Sequence, residues 1–221
     1  MYWMMVPQGG GYEAASGRWD EGCSEMVLEV GRTRWALMCA EIGGEGFLTA
    51  EGFSVAAGSG YPALRSCCMT LDANGEDCEV NLRLRKDYAT VYIYLKDLYS
   101  TDLNYEISGE VCGMGVDGKP IKGEFRCPLL PQENALCAVR VPRQGSSDAL
   151  RLNIISDTDP QGRSQRTLAR SFALGEMVLA AGYDWTEDDL RDFGIEVDYS
   201  RTNVAIGVDQ WRRTLDFDLT L

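Results

Sequence analysis

Eight cysteines and 34 carboxylates hold most of the chemical potential of this sequence, and no histidine stands beside them. Without imidazole, Ser-His-Asp and Cys-His nucleophilic chemistry is excluded within the chain. A zinc site would need cysteines and carboxylates alone. The cysteines are Cys23, Cys39, Cys67, Cys68, Cys78, Cys112, Cys127 and Cys137. None forms a C-x-x-C pair, so a zinc ribbon or thioredoxin-type site has no support. Cys67 and Cys68 are neighbours, and on a strand they point opposite ways. Several cysteines sit in apolar runs such as ALMCAEI and ALCAVRV. That context favours free thiols acting as small buried hydrophobes. The alternative is a disulfide between Cys112 and Cys127 across a hairpin.

Carboxylates gather in WTEDDLRDF, and paired carboxylates can cleave glycosides. These four crowd one short segment instead of facing each other across a cleft, so a solvated capping turn is the better reading. In DTDPQG, Asp157 and Asp159 alternate as in a calcium loop, but the closing glutamate is absent and Arg163 and Arg166 follow. A solvated turn fits it better than a cation site. CGMGVDG contains G-x-G-x-x-G at Gly113, Gly115 and Gly118. A dinucleotide fingerprint must open a helix, whereas KPIKGEF reads as a second strand. The glycines then serve a hairpin that closes at Asp117-Gly118. The triplet Gly9–Gly11 lacks the lysine and hydroxyl of a phosphate loop and reads as a joint. The sequence thus points to no cofactor, no metal and no catalytic residue.

The elements that position these groups are mostly strands. Val91, Ile93 and Leu95 alternate with Tyr92 and Tyr94, and Leu150, Leu152 and Ile154 with Arg151 and Asn153. GIEVDY and NVAIGV repeat the pattern, and DANGED, GVDGKP, RQGSSD, DTDPQG and YSRTN separate the runs as turns. Such spacing predicts antiparallel β-sandwiches. One short helix is expected near 186–193, where Thr186 is a good N-cap and Gly194 a left-handed stop. It would bridge a strand near Met177–Ala180 to one at Gly194, with Trp185, Leu190 and Phe193 plugging the end of the sandwich. A domain boundary is expected near Lys86. Residues 1–85 then form a shortened N-terminal β domain of four strands, trimmed or leaning on its neighbour, and 86–221 form a C-terminal sandwich.

The last strand raises its own question. Leu215, Phe217, Leu219 and Leu221 alternate with polar residues to the final position. They either complete the chain's own core or form a strand donated to a neighbour. Net charge is −13, which repels nucleic acid and anionic lipid. The opening MYWMMVPQGGG does not have the pattern of a signal peptide, and Cys23 in DEGCSE has no apolar run before it, as a lipidation site would. No stretch approaches the length of a membrane helix.

The segment RSFALGEMVLAAGYDWTEDDLRDFGIEVDYSRTNVAIGVDQW resembles the C-terminal part of the Bacteroidales fimbrium-anchor family, the FimB-type fimbrillin-associated subunits. The likeness lies at Leu174-Gly175-Glu176, Tyr183-Asp184-Trp185, Asp188 to Asp192 and Asp198-Tyr199, and RLRKDYATVYIYL looks like the way into the second domain. It covers roughly Arg83 to Leu221. The resemblance implies an all-β chain of tandem transthyretin-like antiparallel β-sandwiches, the N-terminal one incomplete. It also implies export through the periplasm and a place at the cell surface or outer membrane, with a lipid anchor that is not present in this chain. The partners would be other fimbrial subunits, joined by β-strand addition, and the role would be structural and adhesive rather than enzymatic. Two other classes compete. One is a carbohydrate-binding surface lipoprotein of the same fold, with exposed tryptophans as its site. The other is a glycosidase using two carboxylates.

Overall fold

A computed structural model of the chain describes residues 1–19, 22, 25–75, 77–96, 103–130, 136–145, 149–158, 164–198, 203–208 and 211–215. Its strands are β1 (Tyr2–Pro7), β2 (Ala15–Arg18), β3 (Arg34–Gly43), β4 (Gly52–Ser54), β5 (Ala63–Asp72), β6 (Arg85–Lys86), β7 (Tyr88–Lys96) and β8 (Leu103–Gly115). They continue as β9 (Pro120–Leu129), β10 (Leu136–Pro142), β11 (Arg151–Thr158), β12 (Ser164–Phe172), β13 (Phe193–Asp198), β14 (Asn203–Val208) and β15 (Trp211–Leu215), with helix α1 (Leu174–Ala180) before β13. Three sheets result, ordered β2-β1-β3-β5-β6, β12-β11-β8-β4 with β9 also on β8, and β10-β7-β13-β14-β15.

The first sheet uses only residues up to Lys86. β3 reads RWALMCAEIG and is buried almost throughout, with no in-out alternation. A strand covered on both faces needs no polar side. One face, with Met4, Met38, Ala40 and Leu64, joins the main core. The other holds Met5, Trp35, Leu37 and Cys39, under Leu28, Val30, Leu82 and Leu84 from irregular segments. Among the described residues no second sheet covers that face. The strands up to Lys86 therefore share one core with the later strands, and there are six of them where the sequence suggests four.

The later sheets follow the alternation. On β7, Val91, Ile93 and Leu95 are buried while Tyr92 and Tyr94 are exposed. The Gly115–Lys119 hairpin closes as expected, with Gly118 at φ 76° and Gly115 N–H donating to Lys119 O at 2.7 Å. Most neighbours pair antiparallel, but β13 runs parallel to β7, with Phe193 opposite Val91 and Ile195 opposite Ile93.

The helix lies elsewhere than the sequence predicts. Residues 186–192 form turns and irregular backbone leading into β13, and Phe193 and Gly194 are strand residues. The helix is the supposed strand around Met177–Ala180. Leu174, Met177 and Val178 take the i, i+3, i+4 spacing of a buried helical stripe. The acidic segment fails to coil because other groups claim its backbone. Asp184 Oδ1 accepts from Thr186 N–H at 2.8 Å and from Thr186 Oγ1 at 2.7 Å. The carbonyls of Trp185, Glu187 and Asp188 accept from Arg143. The expected plug does form, since Trp185, Leu190 and Phe193 are all buried in the main core. Tyr183 meets Trp185 and Phe193 edge-on, at 4.7 and 5.1 Å between centroids.

Candidate functional site

Two seams and one edge are the places where this chain can be joined, to itself or to another. The first seam is built on Asp87, the residue between β6 and β7, and Arg143, just after β10. Arg143 donates through Nε to Asp87 Oδ1 at 2.9 Å, through Nη1 to Trp185 O and Glu187 O, and through Nη2 to Lys86 O and Asp188 O. All five guanidinium N–H groups are thereby used. Asp87 also accepts from Ser66 Oγ on β5 and pairs with Arg85 Nε at 3.1 Å. Burial pushes the Asp87 carboxyl up, and the Ser66 hydrogen bond and the charges of Arg85 and Arg143 offset that only in part.

The acidic segment closes over this clamp. Asp189 Oδ1 accepts from Lys86 N–H at 2.7 Å, and Asp192 Oδ1 accepts from Lys86 Nζ and Thr90 N–H, both at 2.6 Å. Burial acts to raise Asp192, but those two hydrogen bonds outweigh it and hold its carboxyl below the usual aspartate range. Glu187 pairs with Arg191 at 2.9 Å. Three of the four carboxylates of WTEDDLRDF thus have local cations or N–H groups as partners, Glu187 with Arg191, Asp189 with Arg83 and Lys86 N–H, and Asp192 with Lys86, and at the fourth residue, Asp188, the backbone carbonyl accepts from Arg143. They serve the fold, and they do not face one another across a cleft.

The second seam uses the glycines of the apparent dinucleotide fingerprint. β4, from the N-terminal part, pairs with the end of β8, Gly52 opposite Gly115 and Ser54 opposite Gly113. A Cβ on Gly113 would stand 2.0 Å from Phe53 O, and one on Gly52 2.2 Å from Met114 O. The glycines let two backbones touch. Arg85 Nη2 donates to Gly118 O at 3.5 Å and Cys68 Sγ to Gly115 O at 3.5 Å, docking the hairpin tip on the first sheet.

The edge is β15, paired on one side with β14, from Val208 opposite Trp211 to Val204 opposite Leu215. Of the predicted donor residues, Leu215 ends this strand, while Phe217, Leu219 and Leu221 lie outside the described residues. A cleft of about 600 Å³ opens beside β10, lined by Glu45, Phe47, Thr49, Phe53, Tyr61 and Arg140 among others. Among the described residues no group of three His, Cys, Asp or Glu is placed to hold a metal ion. Asp157 accepts from Asn104 Nδ2 at 2.8 Å, and Asp159 and Arg163 lie outside the described residues.

The cysteines are free thiols in the described residues. A Cys112–Cys127 disulfide is ruled out by register, because Cys127 stands opposite Ile107, roughly 16 Å along β8 from Cys112. Trp35 and Trp185 are core residues and Trp3 and Trp19 are half-buried, which counts against the exposed-tryptophan site of the carbohydrate-binding alternative.

No protein-family model and no curated protein sequence matches the chain. Solved structures do. The fimbrial anchor protein Mfa2 from Porphyromonas gingivalis superposes with a TM-score of 0.61 at 11% identity, over 96% of this chain and 89% of that one. The chain has the fold of a fimbrial anchor protein. A candidate adhesin from Bacteroides thetaiotaomicron matches with a TM-score of 0.54 at 11% identity, over 97% of this chain and 89% of its own. Another from Bacteroides ovatus gives 0.54 at 11% identity, over 81% and 78%. The likeness spans both the N-terminal sheet and the two later ones, so the all-β sandwich architecture expected from the sequence holds. The Asp87–Arg143 clamp and the β4–β8 seam were invisible in the sequence. The partners of the clamp are 56 positions apart, and no spacing rule joins them.

Proposed function

We propose that this chain is a non-enzymatic structural subunit, of the anchor type, of a cell-surface fimbrium. It is exported through the periplasm, held at the outer membrane by a lipid anchor, and contributes to cell adhesion. It joins other fimbrial subunits by β-strand addition. The observation that carries this reading is the likeness to a fimbrial anchor over nearly the whole of both chains. The edge position of β15 supports the mode of assembly. Its far side carries no partner strand among the described residues, and the alternating TLDFDLTL that follows from Thr214 suits a strand that fills another subunit's groove. The clamp and seams support a mechanical role, since they bind the N-terminal sheet rigidly to the sheets that carry the edge.

The test is cosedimentation. Fimbriae sheared from the source bacterium should carry the chain, detected by antibody. Phe217→Asp and Leu219→Asp should remove it from the fimbrial fraction while its melting temperature in isolation stays unchanged. If the variants unfold in isolation, the last strand belongs to the chain's own core. Absence of the wild-type chain from both fimbriae and the cell surface refutes the reading.

A further inference from the structure

The register of the first sheet places two of the eight cysteines directly opposite each other. Cys39 on β3 pairs with Cys67 on β5, within an unbroken run from Arg34–Asp72 to Gly43–Ala63. The parity of the ladder follows from Ala73 N–H, which donates to Thr33 O at 3.0 Å. Hydrogen-bonded pairs alternate from there, so Cys39 and Cys67 form one, with about 5.5 Å expected between their Cα atoms. That Cα separation lies within the range of a disulfide. The Cβ atoms of a hydrogen-bonded pair stand nearer about 5.5 Å than the roughly 4 Å a disulfide favours, so closing the bond draws β3 and β5 together at this point.

Both side chains occupy the same face. Cys39 packs with Trp35 and Leu37, four and two positions before it, and Met69 and Leu71, two and four positions after Cys67, pack on the same cluster. Cys68 points to the other face, with its Sγ toward Ser66 and Gly115 O. The next residue across the sheet from Cys39 is Trp3. No other described pair of cysteines is in register.

We propose that Cys39 and Cys67 are a disulfide-forming pair, and that this is the cross-link the chain makes when it meets a disulfide oxidant. The half-buried Cys67 thiolate attacks one sulfur of the oxidant disulfide, for example oxidised glutathione, and expels one thiolate. Cys39 loses its proton to solvent and attacks the Cys67 sulfur of that mixed disulfide, which expels the second. Two protein thiols become one disulfide, and one oxidant disulfide becomes two thiols. Burial is the main cause that pushes the Cys39 thiol up, to about 12 in the reduced protein, and it persists in the mixed disulfide, which makes the second step the slow one. The proposal does not depend on the fimbrial reading.

The experiment uses the purified full chain, incubated with oxidised glutathione to equilibrium, then alkylated and mapped by mass spectrometry. Two thiols should resist alkylation, and the cross-linked peptide should join the Cys39 and Cys67–Cys68 segments. Because those last two are adjacent, variants decide between them. Cys68→Ser should still oxidise and Cys67→Ser should not. Oxidation should raise the melting temperature by roughly 5 to 10 °C, as closing a loop of this length predicts. Eight alkylated thiols, glutathione adducts without the cross-link, or oxidation that survives Cys67→Ser overturns the proposal.

Discussion

Arg143 Nε donates to Asp87 Oδ1 across 2.9 Å, and neither side chain reaches solvent to more than 6% of its surface. A charge pair this deep stabilises only when every remaining polar atom is matched. Here Ser66, Arg85, Lys86 and three carbonyls of the acidic segment do the matching.

Arg143→Met should therefore cost about 3 to 5 kcal/mol in urea unfolding at pH 7, because it leaves a buried carboxylate and four carbonyls without their donor. Arg143→Lys should recover little, since one ammonium cannot reproduce the fork. Acid should partly rescue Arg143→Met. The folded carboxyl of Asp87, already raised above the unfolded value of about 3.9, rises further without its cation, so the penalty relative to wild type grows as pH climbs through the wild-type folded value toward the variant's. Equal losses at pH 4 and pH 7 would contradict this account.

Asp192 behaves in the opposite sense. Its folded carboxyl titrates below the unfolded one, so its contribution is complete above about pH 3.9 and is lost as pH falls through the folded value. Asp192→Asn should lower stability at pH 7 by about 1 kcal/mol, allowing for its partial exposure. The gap to wild type should close in acid, as read by thermal melts across pH.

The glycine seam gives a steric prediction. Gly113→Ala should destabilise by about 2 kcal/mol or more, because the new Cβ meets a strand carbonyl that cannot move alone. Gly52→Ala adds a backbone at φ 122° to the same clash. Gly60→Ala, with nothing within 4 Å of its Cβ, should stay within about 0.5 kcal/mol and serves as the control.

Titration with a glycan panel should leave tryptophan fluorescence flat, because Trp35 and Trp185 lie in the core. Saturable quenching would instead favour the carbohydrate-binding alternative, and the exposed Tyr92 and Tyr94 would be the residues to change next.

Strands with one wet face were legible in the sequence, as TVYIYL and ALRLNII show, since a period of two survives only where water touches one side. β3 was harder, because burial on both faces erased the alternation. The helix was misplaced because its two candidates carry opposite signals. WTEDDLRDF has an N-cap and an acidic first turn, yet Arg143, from far along the chain, takes its carbonyls. LGEMVLA has no capping side chain, yet its apolar stripe finds a core. The fingerprint glycines were correctly assigned to a hairpin, but their contact with β4 rests on a strand of three residues too short to announce itself. Of the donor-strand residues, the pattern alone was legible.

The parallel pairing of β7 with β13 also sets a timetable. Hairpins can form as the chain emerges, and every strand of the first sheet is available once Lys86 has been made. β7 must wait for a partner about a hundred residues later, Val91 meeting Phe193, before its sheet can close. Contacts of such long sequence separation slow folding. The nascent chain therefore carries a half-finished core through most of its synthesis, and it commits to its final shape only when its last third arrives.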